Sequence, residues 1–496
     1  MTTLRKKILL RILAITDLRE IRPLSPFYFR SWEMYKKNHV FQLTALRRVF
    51  VGMFIFFNFF FAQNSFADSS GVLPEFVRED KVLILAPQPD DETIGVGGAI
   101  QRAVKAGAKV KVVLLTNGEN NIFAFMVYKK SLFLRSKDYL SMGEIRRQES
   151  VKAMTMLGLT ENDVISLGYP DRGTLEIMTR HWDQTNLYRS ALAREEKVPY
   201  PGAMSPGAPY SGESVLKDLE KILLDYKPTK IFVSHPADAN RDHRGLYLFL
   251  RVALWDLDGK IDTPKIYPYL VHVTGWPKPR GYNPTLKLTP PPVFSESEVG
   301  WLTLLLAPEE ITKKYNAIQE YPSQIKYAPK LLISFARENE FFGDYPVETI
   351  LPQMSPAGIL QNQSKHRPAL SYAREGKDLL VRLNLKKWIS NKFGVSLTLL
   401  PYKRGVLFST MPKVEVKIGI GGLRAKDYLR NVDLKGVRFT SRGKEIEYRI
   451  PLAILGDPDY ILSSAKTALK DLNVGEMAWR VLSLEQRPAI EPKEEK

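Results

Sequence analysis

The chain predicts an α/β protein, with a mostly parallel, doubly wound sheet followed by a C-terminal β-sandwich. Three observations carry this reading. Short apolar runs alternate with stretches of helical spacing from Lys81 to Leu257, and repeated βα units build parallel sheets. Over residues 376–485 the texture changes to strand-like alternation with turn residues between the segments, as a sandwich requires. The 496 residues, 44% hydrophobic and 25% charged, supply enough apolar material for more than one core.

Residues 1–67 hold 11 Lys/Arg and 3 Asp/Glu, so they contribute +8 of the chain's +18 formal charge. Arg47-Arg48 precedes an apolar, phenylalanine-rich run from Val49 to Ala62, and Ser65 and Ala67 stand at the −3 and −1 positions before Asp68. A positive flank, a short apolar core and small residues at a cleavage point predict a signal peptide cut near Ala67. The alternative is a retained N-terminal membrane anchor, although the run is short for a bilayer span. Either reading exports the protein to the periplasm, the cell envelope or the medium. A start codon set too far upstream would explain the length before the arginines.

Lys81 to Ala86 reads as a buried strand, ended by Pro87, and Glu92 opens a helix running to about Ala106. Lys109 to Thr116 is a second strand. Asn120 to Met142 is an aromatic, basic insertion with the look of a helical flap, and Gly143 to Leu157 is helical. A short strand follows at Val164 to Gly168, then a loop-rich stretch over 171–212, a helix from Glu213 to Tyr226, a strand at Lys230 to Ser234 and a helix from Gly245 to Leu257. Residues 343–370 read as a linker. Strands are expected at 379–385, 395–400, 405–410, 413–420, 437–440, 445–451 and 477–484, so 371–487 is assigned to a sandwich able to fold by itself. Trp388, Tyr402, Tyr428 and Trp479 are its candidate sugar-stacking rings, and 488–496 reads as a disordered tail.

There is no cysteine, which excludes disulfides, thiolate metal sites and cysteine nucleophiles. No nucleic-acid-reading motif accompanies the basic charge, so nucleic acid is not expected as a partner. Any metal must be held by the six histidines, by carboxylates or by amide oxygens. Two segments lie at strand ends on one crevice, where ligands of open α/β sheets bind. They are Gln88-Pro89-Asp90-Asp91-Glu92 and His235-Pro236-Ala237-Asp238-Ala239-Asn240-Arg241-Asp242-His243. Asp91 and His243 offer the oxygen and nitrogen that suit zinc. Asp90, pointing elsewhere, can take a proton from water attacking a carbonyl. Turn formation alone would also explain such clusters of Asp, Asn and Pro.

These segments resemble the PIG-L/LmbE-like family of zinc-dependent de-N-acetylases, which act on N-acetylglucosamine-type sugars with a Rossmann-like fold. The family's AHPDDE is APQPDDE at Ala86 to Glu92, and its second motif aligns with His235 to Arg244. Gly95-x-Gly97-Gly98, Thr116 to Glu119, Arg146-x-x-Glu149, Leu157-Gly158, Leu167 to Asp171, Lys314 to Gln324 and Phe335 to Phe342 extend the likeness across residues 80–345. The resemblance implies zinc, with Asp91 and His243 as ligands, Asp90 as base, Asp242 as the acidic partner of the second motif and Arg146 as a substrate contact. It also implies an amino-sugar glycan or glycoconjugate as substrate, in keeping with the cell envelope. Two positions depart from it. Gln88 stands where the family has its first zinc histidine, and Asn240 where a second-motif histidine stabilises the transition state. Gln88 can offer only a weak amide oxygen, and Asn240 can donate a hydrogen bond but not a proton. His235 is the nearest replacement ligand, unless it serves a structural hydrogen bond. His39, His181, His272 and His366 have no motif around them and receive no role. The rival function is a carbohydrate-binding protein that kept the fold and lost the chemistry.

Overall fold

The computed structural model describes residues 71–130, 135–294, 299–351, 370–385, 393–419, 422–469 and 472–485. The leader, most of the expected linker, Trp388 and the C-terminal tail lie outside the described residues. No helix among the described residues is long and apolar enough to cross a membrane.

Five strands form one parallel sheet: β1 (Lys81–Ala86), β2 (Lys109–Thr116), β3 (Val164–Tyr169), β4 (Lys230–Ser234) and β5 (Lys265–Tyr269). Their order is β3-β2-β1-β4-β5, with every pairing parallel. The runs are continuously apolar because both faces are covered. Val82, Ile84 and Ala86 point into one core with α1 (Asp91–Lys105) and α3 (Ser136–Leu157). Leu83 and Leu85 point into the other, with α5 (Gly212–Tyr226) and α6 (Arg241–Asp256). Between these helices lie α2 (Ile122–Lys129) and α4 (Thr174–Arg180). The aromatic insertion becomes α2 and the start of α3, packed on the small cluster Phe125, Tyr139 and Met142.

Strand order runs one way from β1 to β3 and the other way through β4 and β5, so the switch falls between β1 and β4. A crevice opens at the carboxyl ends of strands on either side of such a switch. Helix α1 must lie close to β5 for that crevice to form. A Cβ on Gly95 would sit 2.5 Å from the Tyr269 ring, and one on Gly98 would sit 2.4 Å from Leu306. The Tyr269 hydroxyl in turn donates to Leu85 O at 3.0 Å.

Past the sheet, β6 (Gly300–Leu305) and β7 (Asn339–Asp344) pair antiparallel, flanking α7 (Pro308–Gln319) and α8 (Pro322–Ile325). These segments close over α1. The Tyr321 hydroxyl donates to Glu92 at 2.6 Å, Lys314 Nζ lies 2.6 Å from Glu340, and Ser323 N donates to Glu149 at 2.9 Å.

The C-terminal strands are β8 (Leu370–Glu375), β9 (Asp378–Asn384), β10 (Phe393–Tyr402), β11 (Val414–Gly419), β12 (Gly422–Asp427), β13 (Arg438–Arg442), β14 (Glu445–Pro451), β15 (Tyr460–Leu469), β16 (Leu472–Glu476) and β17 (Arg480–Ser483). They make a four-stranded sheet β8-β9-β14-β13 and a larger antiparallel sheet with β12-β11-β10-β15-β17 at its heart. Leu397, Leu399, Ile461 and Leu482 face the smaller sheet. Alternate residues Leu400, Tyr402, Leu462 and Val481 face the α/β core. The larger sheet is therefore apolar on both sides, and the described residues form one compact unit. Tyr402 and Trp479 are buried in the shared core, which removes them as sugar platforms. Residues 405–410, expected as a strand, form a turn and the short 3-10 helix Phe408–Thr410, with Phe408 inserted edge-on against Trp182.

Candidate active site

Gln88 to Asp91 leave the carboxyl end of β1, and His235 to Asn240 leave that of β4. The last turn of chain after β5 brings up His272. Helix α1 begins at Asp91, with Asp90 as its N-cap at φ 115°. That left-handed conformation is rare for a side chain other than glycine and costs roughly 1–3 kcal/mol. Arg146 stabilises it: Nη2 donates to Pro89 O at 2.7 Å and to Asp90 Oδ2 at 3.2 Å, while Nη1 donates to Gly118 O at 2.7 Å. Arg146 is buried, and Nε is its one nitrogen without a protein partner. Burial holds the Asp90 carboxyl well above the usual range; Asp91 and Glu92 add to the effect and Arg146 opposes it.

The second motif starts α6 four residues before the expected helix, so Asp242 and His243 lie in its first turn. Asn240 is the N-cap, accepting from Asp242 N at 2.9 Å. His243 Nε2 lies 3.0 Å from Asp91 Oδ2, and Nδ1 lies 3.3 Å from Asp238 Oδ2. His272, which sequence reasoning passed over, packs edge-on against His243 with ring centroids 4.6 Å apart. Its Nδ1 is 3.4 Å from Asp238 Oδ1. Asp238 anchors this corner, accepting backbone N–H bonds from Val271 at 3.0 Å, His272 at 2.8 Å and Asn240 at 2.8 Å.

Asp91, His243 and His272 each place a ligand atom within 4.8 Å of the others. Atoms about 2 Å from a common ion fall inside that span. Asp91 Oδ1 is buried without a hydrogen-bond partner, and the His243 ring nitrogens and His272 Nδ1 meet only the Asp91 and Asp238 carboxylates, at 3.0–3.4 Å and without hydrogen-bond geometry, which a native structure rarely leaves unexplained. The donor set fits a divalent cation such as zinc. Burial alone would lower the His243 pKa, but Asp238 and Asp91 hold it well above the ordinary value.

Gln88 is drawn into a different network. Its amide nitrogen donates to Asp171 Oδ1 at 2.6 Å and Asp242 Oδ2 at 3.2 Å, and its oxygen accepts from Asn240 Nδ2 at 3.2 Å. The two residues that replace the family's histidines thus bond to each other. Asp242 also accepts from Arg172 N at 2.6 Å and from Thr174 Oγ1 at 2.7 Å. Burial, with Asp171 beside it, pushes Asp242 up to about 7 and neighbouring Glu119 up to about 8. His235 stands apart from the ligand cluster. It lies in an aromatic box, 5.5 Å from Trp301, 5.6 Å from Phe294 and 5.3 Å from Tyr345 between centroids. Its Nδ1 accepts from Ala237 N at 3.1 Å, and burial lowers it to about 3, which makes it a neutral structural ring.

The structure is thus a Rossmann-like α/β domain with a histidine–carboxylate cluster at its switch point, a donor set that could hold a metal ion. The family comparison is more specific. Residues 83–254 match the PIG-L family model, described as GlcNAc-PI de-N-acetylase, and this stretch is a PIG-L domain. His272 lies beyond the matched residues. Comparison with curated protein sequences gives no match. Similar solved structures include the conserved protein TT1542 of Thermus thermophilus, at 20% identity over 52% of this chain and 84% of that one, with a TM-score of 0.32. The N,N'-diacetylchitobiose deacetylase of Pyrococcus horikoshii is similar at 19% identity over 53% and 82%, TM-score 0.32. The 4-carboxy-2-hydroxymuconate hydratase of Pseudomonas putida is similar at 16% identity over 57% and 100%, TM-score 0.33.

Proposed function

We propose that the protein is a metal-dependent hydrolase that removes an N-acetyl group from an amino-sugar glycan or glycoconjugate of the N-acetylglucosamine type, with zinc held by Asp91, His243 and His272. The observation that carries the reading is the buried cluster of Asp91, His243 and His272 ligand atoms, which lack hydrogen-bond geometry to any neighbour, beside Asp90 at the strand switch. A divalent cation there would polarise an amide carbonyl and acidify water. Asp90 then acts as general base. Its raised pKa makes it a stronger proton acceptor than an ordinary aspartate. Arg146 fixes its carboxylate through Nη2. Asp238 holds the two histidines in place, as outer-shell carboxylates commonly do for metal ligands. Asp242 and Asn240 shape the wall behind Gln88. The basic, apolar leader supports a location outside the cytoplasm, in the periplasm, cell envelope or medium; a mature N-terminus near Asp68 is expected from the native cell.

The test is metal content together with acetate release from N-acetylated glycans. The wild type should bind one zinc per chain and release acetate. Asp90→Asn should abolish release with metal retained, and His272→Ala should weaken zinc binding by about 100-fold or more. The bonded Gln88–Asn240 pair favours the rival reading, a carbohydrate-binding protein without catalysis. A chain that binds glycan but neither holds metal nor releases acetate would establish that rival.

A further inference from the structure

The C-terminal sheets touch the second motif through specific polar contacts. Strand β16 ends at Glu476, whose Oε1 lies 2.9 Å from Arg244 Nη1. Arg244 is buried, and its Nε donates to the backbone carbonyl of Asp238. The Asp238 carboxylate faces both His243 and His272. Just beyond β16, Trp479 N donates to Pro236 O at 3.2 Å. The Arg480 guanidinium sits 3.3 Å over the Tyr345 ring, which packs on His235.

We propose that the C-terminal sheet positions the metal-binding residues: Glu476 holds Arg244, Arg244 holds Asp238, and Asp238 sets both histidines. This rests on the metal-site reading above. The loop from His235 to Asn240 is irregular backbone, so its shape depends on the partners of its polar groups. Two of its carbonyls, those of Pro236 and Asp238, are engaged by Trp479 and by the arginine that Glu476 neutralises. Removing the carboxylate leaves a buried guanidinium without its counter-charge. The arginine then has reason to swing toward solvent, releasing Asp238. Glu476 and Arg244 are positioning residues here, two and one steps removed from the carboxylate that orients the ligands.

The experiment uses the full chain carrying Glu476→Ala or Glu476→Gln. Co2+ affinity is read by absorbance titration, and backbone hydrogen exchange over residues 235–244 is read in the metal-free protein. Glu476 is partly exposed, with 26% of its side chain accessible, so both variants should fold with a Tm within about 2 °C of wild type. Outer-shell partners commonly change metal affinity about 10–100-fold. A more distant residue should give the lower end: about tenfold weaker Co2+ binding for Glu476→Ala. The Gln variant should lose less, because its amide oxygen still offers Arg244 Nη1 a polar neighbour in the place of the carboxylate. Exchange at 235–244 should quicken in Glu476→Ala while β1 to β3 stay protected. Co2+ affinity within about twofold of wild type together with unchanged exchange would overturn the proposal. If the wild type binds no Co2+, the metal reading fails by itself, and the exchange result alone decides whether the sheet holds the loop.

Discussion

Gln88→Glu separates two accounts of the residue that replaces the family's histidine. The substitution keeps shape and keeps the acceptor for Asn240, but it removes the donors to Asp171 and Asp242 at 2.6 and 3.2 Å. A hydrogen bond to a charged partner contributes about 1.5–3 kcal/mol, so losing both costs about 3–6 kcal/mol. A proton on the introduced carboxyl restores one donor, so the penalty falls to about half when that group is protonated. Among neighbouring carboxylates its folded pKa is raised above the unfolded value of about 4.3. Stability is then retained below the unfolded pKa and lost as pH rises. The variant should therefore lie about 1.5–3 kcal/mol below wild type near pH 4 and about 3–6 kcal/mol below it near pH 8. Urea unfolding at both pH values, with and without zinc, reads this directly. If Gln88 were instead an oxygen ligand, the charged carboxylate would be the better zinc donor, and zinc would stabilise the variant more than the wild type. A variant as stable as wild type at pH 8, or binding zinc about tenfold more tightly, would refute the network account.

Gly95→Ala should destabilise by about 1–3 kcal/mol, because the new methyl meets the Tyr269 ring at 2.5 Å; it should also weaken zinc binding, since β5 carries His272 past that ring. Glu220→Gln should flatten the stability–pH profile. Burial and Asp256 push Glu220 up to about 7, so the wild type loses stability as pH rises from about 4 to 7. Half-exposure limits the gain at pH 8 to on the order of 1 kcal/mol, readable by thermal unfolding. Residues 371–487 expressed alone should self-associate in analytical ultracentrifugation, because Leu400, Tyr402, Leu462 and Val481 lose their α/β partner; a monomer with a cooperative transition would show that the sheet does not need that face covered.

Part of the site was legible because the chemistry is local. Asp90 and Asp91 are adjacent at a strand end, and Asp242 and His243 share the first turn of α6, so short motifs record them. His272 left no such trace. Its strand reads KIYPY, and an internal proline argues against a central strand. Pro268 is tolerated because β5 is the edge of the sheet, and edge position is a tertiary fact. Strand β15 was missed for a related reason. Ser463, Ser464 and Thr467 break its apolar pattern, yet Ser463 accepts from Tyr372 at 2.9 Å and Ser464 donates to Met477 O at 2.9 Å. Asn240 read as a catalytic stand-in, while in the structure its oxygen caps a helix, a role its residue type also predicts. Arg146 likewise read as a substrate contact, and the fold buries its guanidinium, giving Nη2 to the strained turn at Asp90 and Nη1 to Gly118 O.

The two departures from the family pattern make most sense taken together. The pocket behind Gln88 holds the buried carboxyl groups of Glu119, Asp171 and Asp242, and burial with Asp171 alongside raises the proton affinity of the other two. An amide there offers two N–H donors on one nitrogen and meets two of those carboxylates at once, whereas a neutral imidazole has a single donor. Its oxygen then needs a donor of its own, and Asn240 supplies one from the cap of α6. A histidine restored at 88 alone, neutral and with a single N–H, would leave one of the two carboxylates without its donor. The further nitrogen proposed as a metal ligand lies instead across His243, on the loop after β5, where Asp238 already faces both rings. On the proposed reading the ligand set has shifted from the β1 side of the crevice toward β5, and Asp90, Asp91 and His243 have kept their places at the switch.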